Sequence, residues 1–401
     1  MIVKCPNCSG PLEYDIITDK MVCSHCDSSF LVGELKTKEQ KNEQIYENTD
    51  VNRETDMSDE NNDDTMECRM YVCTACGAEL MINNVESSTF CAYCGQPTIV
   101  FDRISVQKRP KYIIPFSISK EKALSLIRER MDKGAFVPKE IKNFEVDVLR
   151  GIYVPFWIVD MEYQDSDVIV GTVEKGNSKQ KTYFYREGYT KFFNIPVDAS
   201  KRFNDMSSKR LEPYIVSEAK PFNPQYLSNF YADCSDEDAA SIAYKASMRA
   251  KLLFDQEMLK TVKASDKRIL EQKPVHTVTR KDYAMFPAWF MVFKHKGKDY
   301  TMMVNGQTGK VVGAVPFEKK EAAIFFVVVS VALTILLNPM LYAVLGSDAI
   351  DDVFSFLGVC LFGISCLLGC AVAKLKSFKK SQELTTENRM KDFVKDRQEE
   401  I

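Results

Sequence analysis

Two sets of four cysteines share one spacing, and this repeat constrains the fold more than any other feature of the sequence. Each set reads C-x2-C, then fourteen residues, then C-x2-C. A C-x2-C turn places two thiolates on one metal ion, and neighbouring glycines tolerate the backbone geometry that the turn requires. Four thiolates predict tetrahedral zinc with no open position for catalysis. We therefore predict two structural zinc ions per chain, held by Cys5, Cys8, Cys23, Cys26, Cys73, Cys76, Cys91 and Cys94.

Redox chemistry and disulfide bonds account for these cysteines less well than zinc does. A redox C-x-x-C motif of the thioredoxin kind needs a βαβ context, which the sequence around the cysteines lacks. Disulfides would conflict with the cytoplasmic location predicted below. His25 is surplus to its four-cysteine set, and Cys68 and Cys234 lie outside both sets, so we interpret all three as bystanders.

Each cysteine set resembles a zinc ribbon of the general transcription factor (TFIIB) type, on the motifs CPNCSG, CTACGAE and CAYCGQP. The resemblance implies the ribbon fold but not the partner, because ribbons bind DNA, RNA and proteins alike. Between Cys73 and Val100 there is no Lys or Arg, and between Cys5 and Cys26 the one cation is Lys20. Phosphate contacts supply most of the affinity for nucleic acids. The ribbons therefore favour protein binding, with nucleic-acid binding as the alternative.

Two long apolar runs lie near the C-terminus, at 322–346 and 353–373, and neither contains a charged residue. A helix needs roughly 20 residues to cross a hydrocarbon core of ~30 Å, so each run predicts a transmembrane helix. The positive-inside rule puts the lysine-bearing flanks in the cytoplasm. These flanking lysines are Lys319, Lys320, Lys374, Lys376, Lys379 and Lys380. We expect a multi-pass protein of the cell membrane, in contact with lipid, with both termini cytoplasmic.

The remaining sequence predicts an α+β multidomain fold with an antiparallel sheet. Helical spacing of Leu124, Ile127 and Met131 predicts one helix, and acidic residues at 236–238 suit the start of a second. The run LRGIYVPFWIVDMEY predicts a strand, and residues 168–197 predict a meander with turns near Gly176 and Gly188. The predicted parts are a first ribbon (1–33), a disordered acidic linker (34–67), a second ribbon (68–103), an α+β domain (112–317), two transmembrane helices (322–346, 353–373) and a cytoplasmic tail (374–401).

A second resemblance covers nearly the whole chain. The phrases IIPFSISKEKAL, LRGIYVPFWIVDMEY, AKPFNPQYL and FPAWFMVFKHKGKDYTMMVNGQTGKVVGAVP resemble the bacterial YdjG-type membrane proteins. That resemblance implies N-terminal zinc ribbons, an α+β body and a C-terminal membrane anchor. It also implies partners of the SPFH-domain (flotillin-like) or phage-shock type in membrane stress. It implies no catalytic residues.

Catalytic patterns are absent from the sequence, and we predict no enzyme activity. His276 and His295 have no serine, cysteine or carboxylate pattern beside them. NGQTGK at 305–310 lacks the spacing of a phosphate loop and predicts a hairpin turn. An aromatic set predicts sheet core, with a ligand box as the alternative; its members are Tyr153, Trp157, Phe286 and Trp289.

Two hypotheses of function follow from the sequence. The first is a membrane-anchored zinc-ribbon adaptor that recruits cytoplasmic proteins to the inner face of the cell membrane. The alternative is a membrane-associated zinc-ribbon protein that binds nucleic acid in replication or transcription. The net charge of −3 gives no sign of a general nucleic-acid binder, which favours the adaptor.

Overall fold

The chain forms two compact units that are interleaved along the sequence. The structure is a computed structural model. It describes residues 4–35, 65–82, 91–94, 96–97, 99–132, 137–138, 149–176, 178–200, 205–295 and 298–313, with seven further residues between 318 and 332. The first unit comprises residues 1–120, 150–289 and 305–310. The second comprises residues 121–149, 290–304 and 311–401.

Strands make up most of the described residues. They are β1 (Leu12–Asp15), β2 (Lys20–Cys23), β3 (Ser29–Leu31), β4 (Thr65–Cys73), β5 (Glu79–Ile82), β6 (Ile99–Lys108), β7 (Tyr112–Ile113), β8 (Leu149–Lys175), β9 (Ser178–Asp198), β10 (Lys220–Pro221), β11 (Tyr231–Asp233), β12 (Ser265–Glu271), β13 (Val275–His295), β14 (Lys298–Asn305) and β15 (Val311–Gly313). The α-helices are α1 (Lys120–Asp132), α2 (Asp205–Leu211) and α3 (Ala239–Lys260). Short 3-10 turns cover Val216–Glu218 and Pro224–Leu227.

The strands form one small and one large sheet. In the first ribbon, β1, β2 and β3 pair antiparallel, and Leu12 lies opposite Cys23. The large sheet has the order β10-β7-β13-β8-β11-β5-β4-β6, and both β9 and β12 also pair with β8. The pairs β7–β13 and β8–β11 are parallel, whereas β4–β6 and β8–β9 are antiparallel. The large sheet is therefore mixed.

A long hairpin of β8 and β9 is the largest element of the first unit. The two strands are 27 and 21 residues long, and their register runs from Lys175 opposite Ser178 to Phe156 opposite Asp198. Gly176 takes a φ of +64° at the tip, a conformation that glycine adopts without strain. The turn predicted near Gly176 is confirmed.

Helix α3 covers one face of this hairpin. Its N-cap is Asp238, whose side chain accepts a hydrogen bond of 2.5 Å from the Ser241 amide. Apolar side chains recur every fourth residue on its buried face, at Ile242, Ala246, Ala250, Phe254 and Met258. The ring of Phe254 lies 5.0 Å from that of Tyr163 on β8, so the helix and the hairpin share one core.

The turn predicted near Gly188 is wrong, because Gly188 lies in the middle of β9. A Cβ at this position would come within 3.0 Å of the Phe254 ring. Glycine is needed here because α3 packs closely over the strand, and not because the chain reverses direction.

The core of the first unit is aromatic. Phe116 stacks on Phe230 at 4.3 Å between ring centroids and contacts Tyr153 at 5.0 Å and Trp289 at 4.9 Å. The Trp289 indole donates a hydrogen bond of 2.9 Å to the Ile118 carbonyl. Since Tyr153, Trp289 and the other two members of the predicted aromatic set are buried, the prediction that this set is sheet core is confirmed.

In the second unit, α1 buries one apolar face. The buried side chains are Ala123, Leu124, Ile127 and Met131, which confirms the helical spacing seen in the sequence. The β14–β15 hairpin places Met303 opposite Val312. The stretch NGQTGK, residues 305–310 of the first unit, connects β14 to β15, and the Asn305 side chain accepts hydrogen bonds of 2.9 Å from the amides of Gln307 and Thr308. The predicted hairpin turn is confirmed.

The predicted α+β fold class is wrong. Only three α-helices occur in the part of the chain that the structure describes, and its sheet is mixed rather than antiparallel. The reason is the length of β8, β9 and β13, at 27, 21 and 21 residues, against about 5–6 residues for an ordinary strand. Of these strands, β9 continues through Gly188, where the sequence pattern predicted a turn.

The predicted transmembrane hairpin, and the multi-pass membrane localisation that depends on it, are not supported. No helix among the described residues is long and apolar enough to span a membrane. Apart from a few positions, the predicted helices at 322–346 and 353–373 lie outside those residues, as does the tail at 374–401. The length and the apolar composition of the two runs suggested the spans.

Candidate metal centres

The first cysteine set forms a compact tetrad. The Sγ atoms of Cys5 and Cys26 lie 3.6 Å apart, and those of Cys8 and Cys23 lie 3.4 Å apart. All four sulfur atoms lie within 4.8 Å of one another. Zn–S bonds of about 2.3 Å in a tetrahedron place sulfur atoms about 3.8 Å apart, so the tetrad fits a zinc ion.

The second cysteine set repeats this geometry. Its Sγ atoms lie 3.6 Å apart in both cross-pairs, Cys73 with Cys94 and Cys76 with Cys91, again within 4.8 Å overall. The chain therefore carries two four-cysteine sites for structural zinc, and the prediction of two zinc ions is confirmed. Because each ion has four protein ligands, neither site keeps a position for a substrate or an activated water.

The C-x2-C turns share one backbone pattern. The amide of the first cysteine donates to the carbonyl five residues later, from Cys5 to Gly10, Cys23 to Ser28, Cys73 to Ala78 and Cys91 to Gln96, at 2.8–2.9 Å. The fourth residue after that cysteine has a positive φ in three of these turns: 62° at Ser9, 57° at Asp27 and 68° at Gly77. The turn thus aims both thiolates at one point.

Glycine is required at position 10 for a different structural reason than at position 77. Its φ is not in the left-handed region, but a Cβ there would lie 3.3 Å from the Sγ atoms of both Cys8 and Cys23. Gly77 has open space around its Cα and a left-handed φ of +68°. Sequence reasoning attributed both glycines to backbone geometry, and for Gly10 the reason is instead the space beside the metal.

Cys68 and Cys234 lie outside both tetrads. The Cys68 thiol donates to the Ser105 carbonyl at 3.4 Å, and burial raises the pKa of this thiol to about 11. The Sγ of Cys234 lies 3.8 Å from the Sδ of Met70. Since a raised pKa disfavours the reactive thiolate, Cys68 is a poor nucleophile.

The second ribbon is built into the large sheet. Its β5 pairs with β11 through Leu80 opposite Asp233, and β11 in turn pairs with β8. The Asp233 carboxylate accepts hydrogen bonds from the Tyr93 hydroxyl at 2.6 Å and from the Ser200 hydroxyl at 2.7 Å. Tyr93 lies between two zinc ligands, so this contact links the zinc site directly to the rest of the first unit outside the two ribbons, which we call its body.

Sequence reasoning missed this connection. One signal was available, because β5 reads ELMI and would leave three large apolar side chains exposed in a free-standing ribbon. In the structure these side chains, Leu80, Met81 and Ile82, are buried. The partner strand β11 is three residues long and distant in sequence, so no local pattern could identify it.

The first ribbon also contacts the body of the first unit. The Tyr14 ring meets the Tyr226 ring edge-on at 5.1 Å, and the Lys220 ammonium lies 2.5 Å from the Asp19 carboxylate. The Gln225 side chain accepts from the Gly33 amide and donates to the Leu35 carbonyl, both at 2.7 Å. These contacts are mostly polar, so the first ribbon rests against the body without joining its core.

The histidines offer no catalytic arrangement in the described residues. His276 is exposed and stacks on Tyr163 at 6.3 Å, and His25 is exposed beside the first zinc site. The side chain of His295 lies outside the described residues.

Comparison with known proteins agrees with the zinc ribbon and gives one long relative. A family model described as Trm112p-like protein matches residues 1–34, which hold the first ribbon. The chain is 26% identical over 339 residues to the uncharacterized protein YdjG of Bacillus subtilis (strain 168), covering 80% of this chain and 92% of YdjG. No solved structure matches. The resemblance to TFIIB-type ribbons stays a prediction, and the chain is similar to YdjG along most of its length.

Proposed function

We propose that this chain is a protein-binding adaptor, and that its second zinc ribbon holds the binding surface. The adaptor binds an extended segment of another protein along β6. The observation that carries this proposal is an exposed, apolar strand at the end of the large sheet.

Strand β6 has the properties of a docking edge. It ends the strand order of the large sheet, and among the described strands it pairs only with β4. Four of its apolar side chains are more than half exposed, namely Val100, Phe101, Ile104 and Val106. Folded proteins usually protect a long apolar edge strand from such exposure, because its unpaired backbone groups can pair with another chain. An edge of this kind fits a partner that adds one strand.

Zinc fixes the orientation of this edge. The neighbouring strand β4 ends at the ligand Cys73, which lies opposite Ile99 at the start of β6. The Arg103 side chain reaches Glu79 on β5 at 3.3 Å, which links β6 to the rest of the ribbon. The ion therefore positions a binding strand rather than taking part in a reaction.

The alternative of nucleic-acid binding has less support. The second ribbon has no Lys or Arg between its first cysteine and Val100, so its zinc end lacks the cations for phosphate contacts. A protein partner with alternating apolar residues fits the exposed side chains of β6 better. Proteins of the SPFH-domain and phage-shock type, which the sequence resemblance implies, are the first partners to test.

A photo-crosslinking residue placed at Ile104 in the full-length chain tests the proposal. We expect it to capture a protein, and the variant Ile104→Lys with Val106→Lys to lose that protein, because lysine on an edge strand opposes strand addition. The matched control is Met248→Lys with Leu252→Lys, which makes the same change at two exposed apolar positions of α3.

Retention of the captured protein by the β6 variant would exclude β6 as the binding edge. Binding of the wild-type chain to duplex DNA with a steep salt dependence, and unaffected by the β6 variant, would favour the nucleic-acid alternative.

A further inference from the structure

Strand β9 carries an uncovered row of aromatic side chains. Tyr183, Tyr185, Tyr189 and Phe193 are 66%, 75%, 55% and 67% exposed. They alternate along the strand with side chains that face α3, so all four lie on the face of the hairpin that α3 leaves open. Large aromatic side chains are enriched at protein interfaces, and a row of four on one strand is unusual for a free surface.

The outer edge of β9 also lacks a strand neighbour in the described part of the chain, where β9 pairs with β8 alone. Opposite β9 on the same open face, β8 presents Gln164 to Tyr189 and Glu162 to Lys191. Both an exposed face and a free edge thus run along the same strand.

The exposed row is self-complementary about Tyr189. Residues at equal distance on either side of it are Glu187 and Lys191, and then Tyr185 and Phe193. If two copies of β9 pair antiparallel with Tyr189 on the two-fold axis, each Glu187 lies opposite a Lys191 and each Tyr185 opposite a Phe193. Opposite charges and aromatic pairs directly across a strand pair are stabilising, and like charges are destabilising.

Neighbouring registers lack this match. With the axis at Glu187 two glutamates meet, and with the axis at Lys191 two lysines meet. With the axis at Gly188, Glu187 lies opposite Tyr189 and Lys191 opposite Tyr185, so no charges pair. Charge complementarity therefore favours a second copy of this chain as the occupant, and among the registers centred on residues 187–191 it favours the one centred on Tyr189.

We propose that two copies of this chain form a symmetric dimer by antiparallel pairing of their β9 strands, with Tyr189 on the two-fold axis. The interface is isologous, so every contact occurs twice. Within one copy, the Lys191 ammonium already lies 2.7 Å from the Glu162 carboxylate. In the dimer Lys191 lies between that carboxylate and Glu187 of the second copy. This inference is independent of the β6 docking edge.

Charge reversal in the full-length chain tests the dimer. Lys191→Glu places two pairs of glutamates opposite each other, and Glu187→Lys places two pairs of lysines opposite each other. Each variant alone should weaken the dimer about tenfold or more, since two attractive pairs become repulsive. The control Lys181→Glu makes the same charge change on the same exposed row, but outside the proposed pairs, and should dimerise as the wild type does.

The decisive measurement mixes the two single variants in equal amounts and records native mass spectra. The Lys191→Glu copy carries glutamate at both paired positions, and the Glu187→Lys copy carries lysine at both. The two variants are therefore complementary to each other, and we expect dimers that contain one of each. If the single variants failed to dimerise because they were misfolded, mixing them would not produce such mixed dimers. A monomeric wild type, single variants that dimerise like the wild type, or a mixture that stays monomeric would each overturn the proposal.

Discussion

Gly10 sits beside the first zinc site with sulfur atoms on two sides. Its replacement by alanine would push a methyl group to 3.3 Å from both Cys8 and Cys23 and to 3.1 Å from the His25 ring. We expect Gly10→Ala to weaken zinc binding at this site, by about 1 kcal/mol if the tetrad must shift. Competition with a chromophoric chelator measures the loss of zinc affinity.

The control for this prediction is Gly77→Ala. A methyl group added at Gly77 would have no described atom within 4 Å, although the φ of +68° strains an alanine. Gly77→Ala should cost backbone energy without compressing the sulfur atoms. Equal zinc affinity of Gly10→Ala and the wild type would show that the tetrad has more room than the distances indicate.

Asp167 is buried under α3, and one of its carboxylate oxygens, Oδ2, has no hydrogen-bond partner among the described residues. Burial, with the charge of Asp165 nearby, raises the pKa of Asp167 above its ordinary value of 3.8. The folded state therefore binds the proton of the Asp167 carboxyl group more tightly than the unfolded state does. As a result, the free energy of unfolding falls as the pH rises from 3.8 through the raised pKa. The substitution Asp167→Asn removes the titrating group, so the variant should not lose this stability as the pH rises.

Urea unfolding of Asp167→Asn and of the wild type at several pH values measures whether the difference in stability changes with pH in this direction. We expect the stability of the variant relative to the wild type to increase as the pH rises above 3.8. Asp165→Asn is the matched control, because the Asp165 carboxylate accepts hydrogen bonds of 2.8 Å from the amides of Ser166 and Lys273. This control should lose stability instead. A pH-independent difference for Asp167→Asn would contradict the raised pKa.

At the scale of elements, the two ribbons differ in how they join the body of the first unit. The first rests on it through Tyr14, Asp19 and the bonds of Gln225. The second contributes β5, β4 and β6 to the large sheet. Loss of zinc should therefore have unequal consequences, although the two metal sites have nearly the same geometry.

Paired cysteine substitutions test this difference. Cys5→Ser with Cys8→Ser and Cys73→Ser with Cys76→Ser should each lower the zinc content from two ions to one. The second pair should lower the unfolding midpoint more, because it also releases strands of the large sheet. Cys68→Ser, outside both tetrads, should keep two ions. Equal destabilisation by the two pairs would show that β5 contributes little to the sheet.

Local features of this protein were predictable, and distant pairings were not. The cysteine spacing predicted both tetrads because each C-x2-C turn is closed by hydrogen bonds within six residues. The helix containing Leu124 and Ile127 followed from its apolar period. The role of Gly188 could not be predicted, because it depends on Phe254 in another element. The attachment of the second ribbon depends in the same way on β11, far along the chain.

At the scale of the whole molecule, the chain is divided into two compact units, and both zinc sites belong to the first. Each unit draws on separate segments of the sequence, so neither can be isolated by a single truncation. Proteins with more than one such unit often unfold in more than one step. Metal removal should then affect one step selectively.

Calorimetry with and without a zinc chelator measures whether metal removal affects one unfolding step selectively. We expect two transitions in the zinc-bound protein, and we expect the chelator to lower the temperature of one while leaving the other in place. A calcium-selective chelator is the control and should change neither. A single transition that shifts as a whole would mean that the two units unfold cooperatively.

The pairing of β5 with β11 also sets an order of events during synthesis on the ribosome. The zinc turns can close as soon as their own cysteines emerge, since each needs only its near neighbours. Tyr93 and its partner Asp233 are 140 residues apart, which corresponds to roughly 7–28 seconds of translation. Throughout that interval the nascent ribbon holds its metal while Leu80, Met81 and Ile82 remain uncovered. The growing chain is therefore most exposed to aggregation, and most dependent on chaperones, before Asp233 emerges.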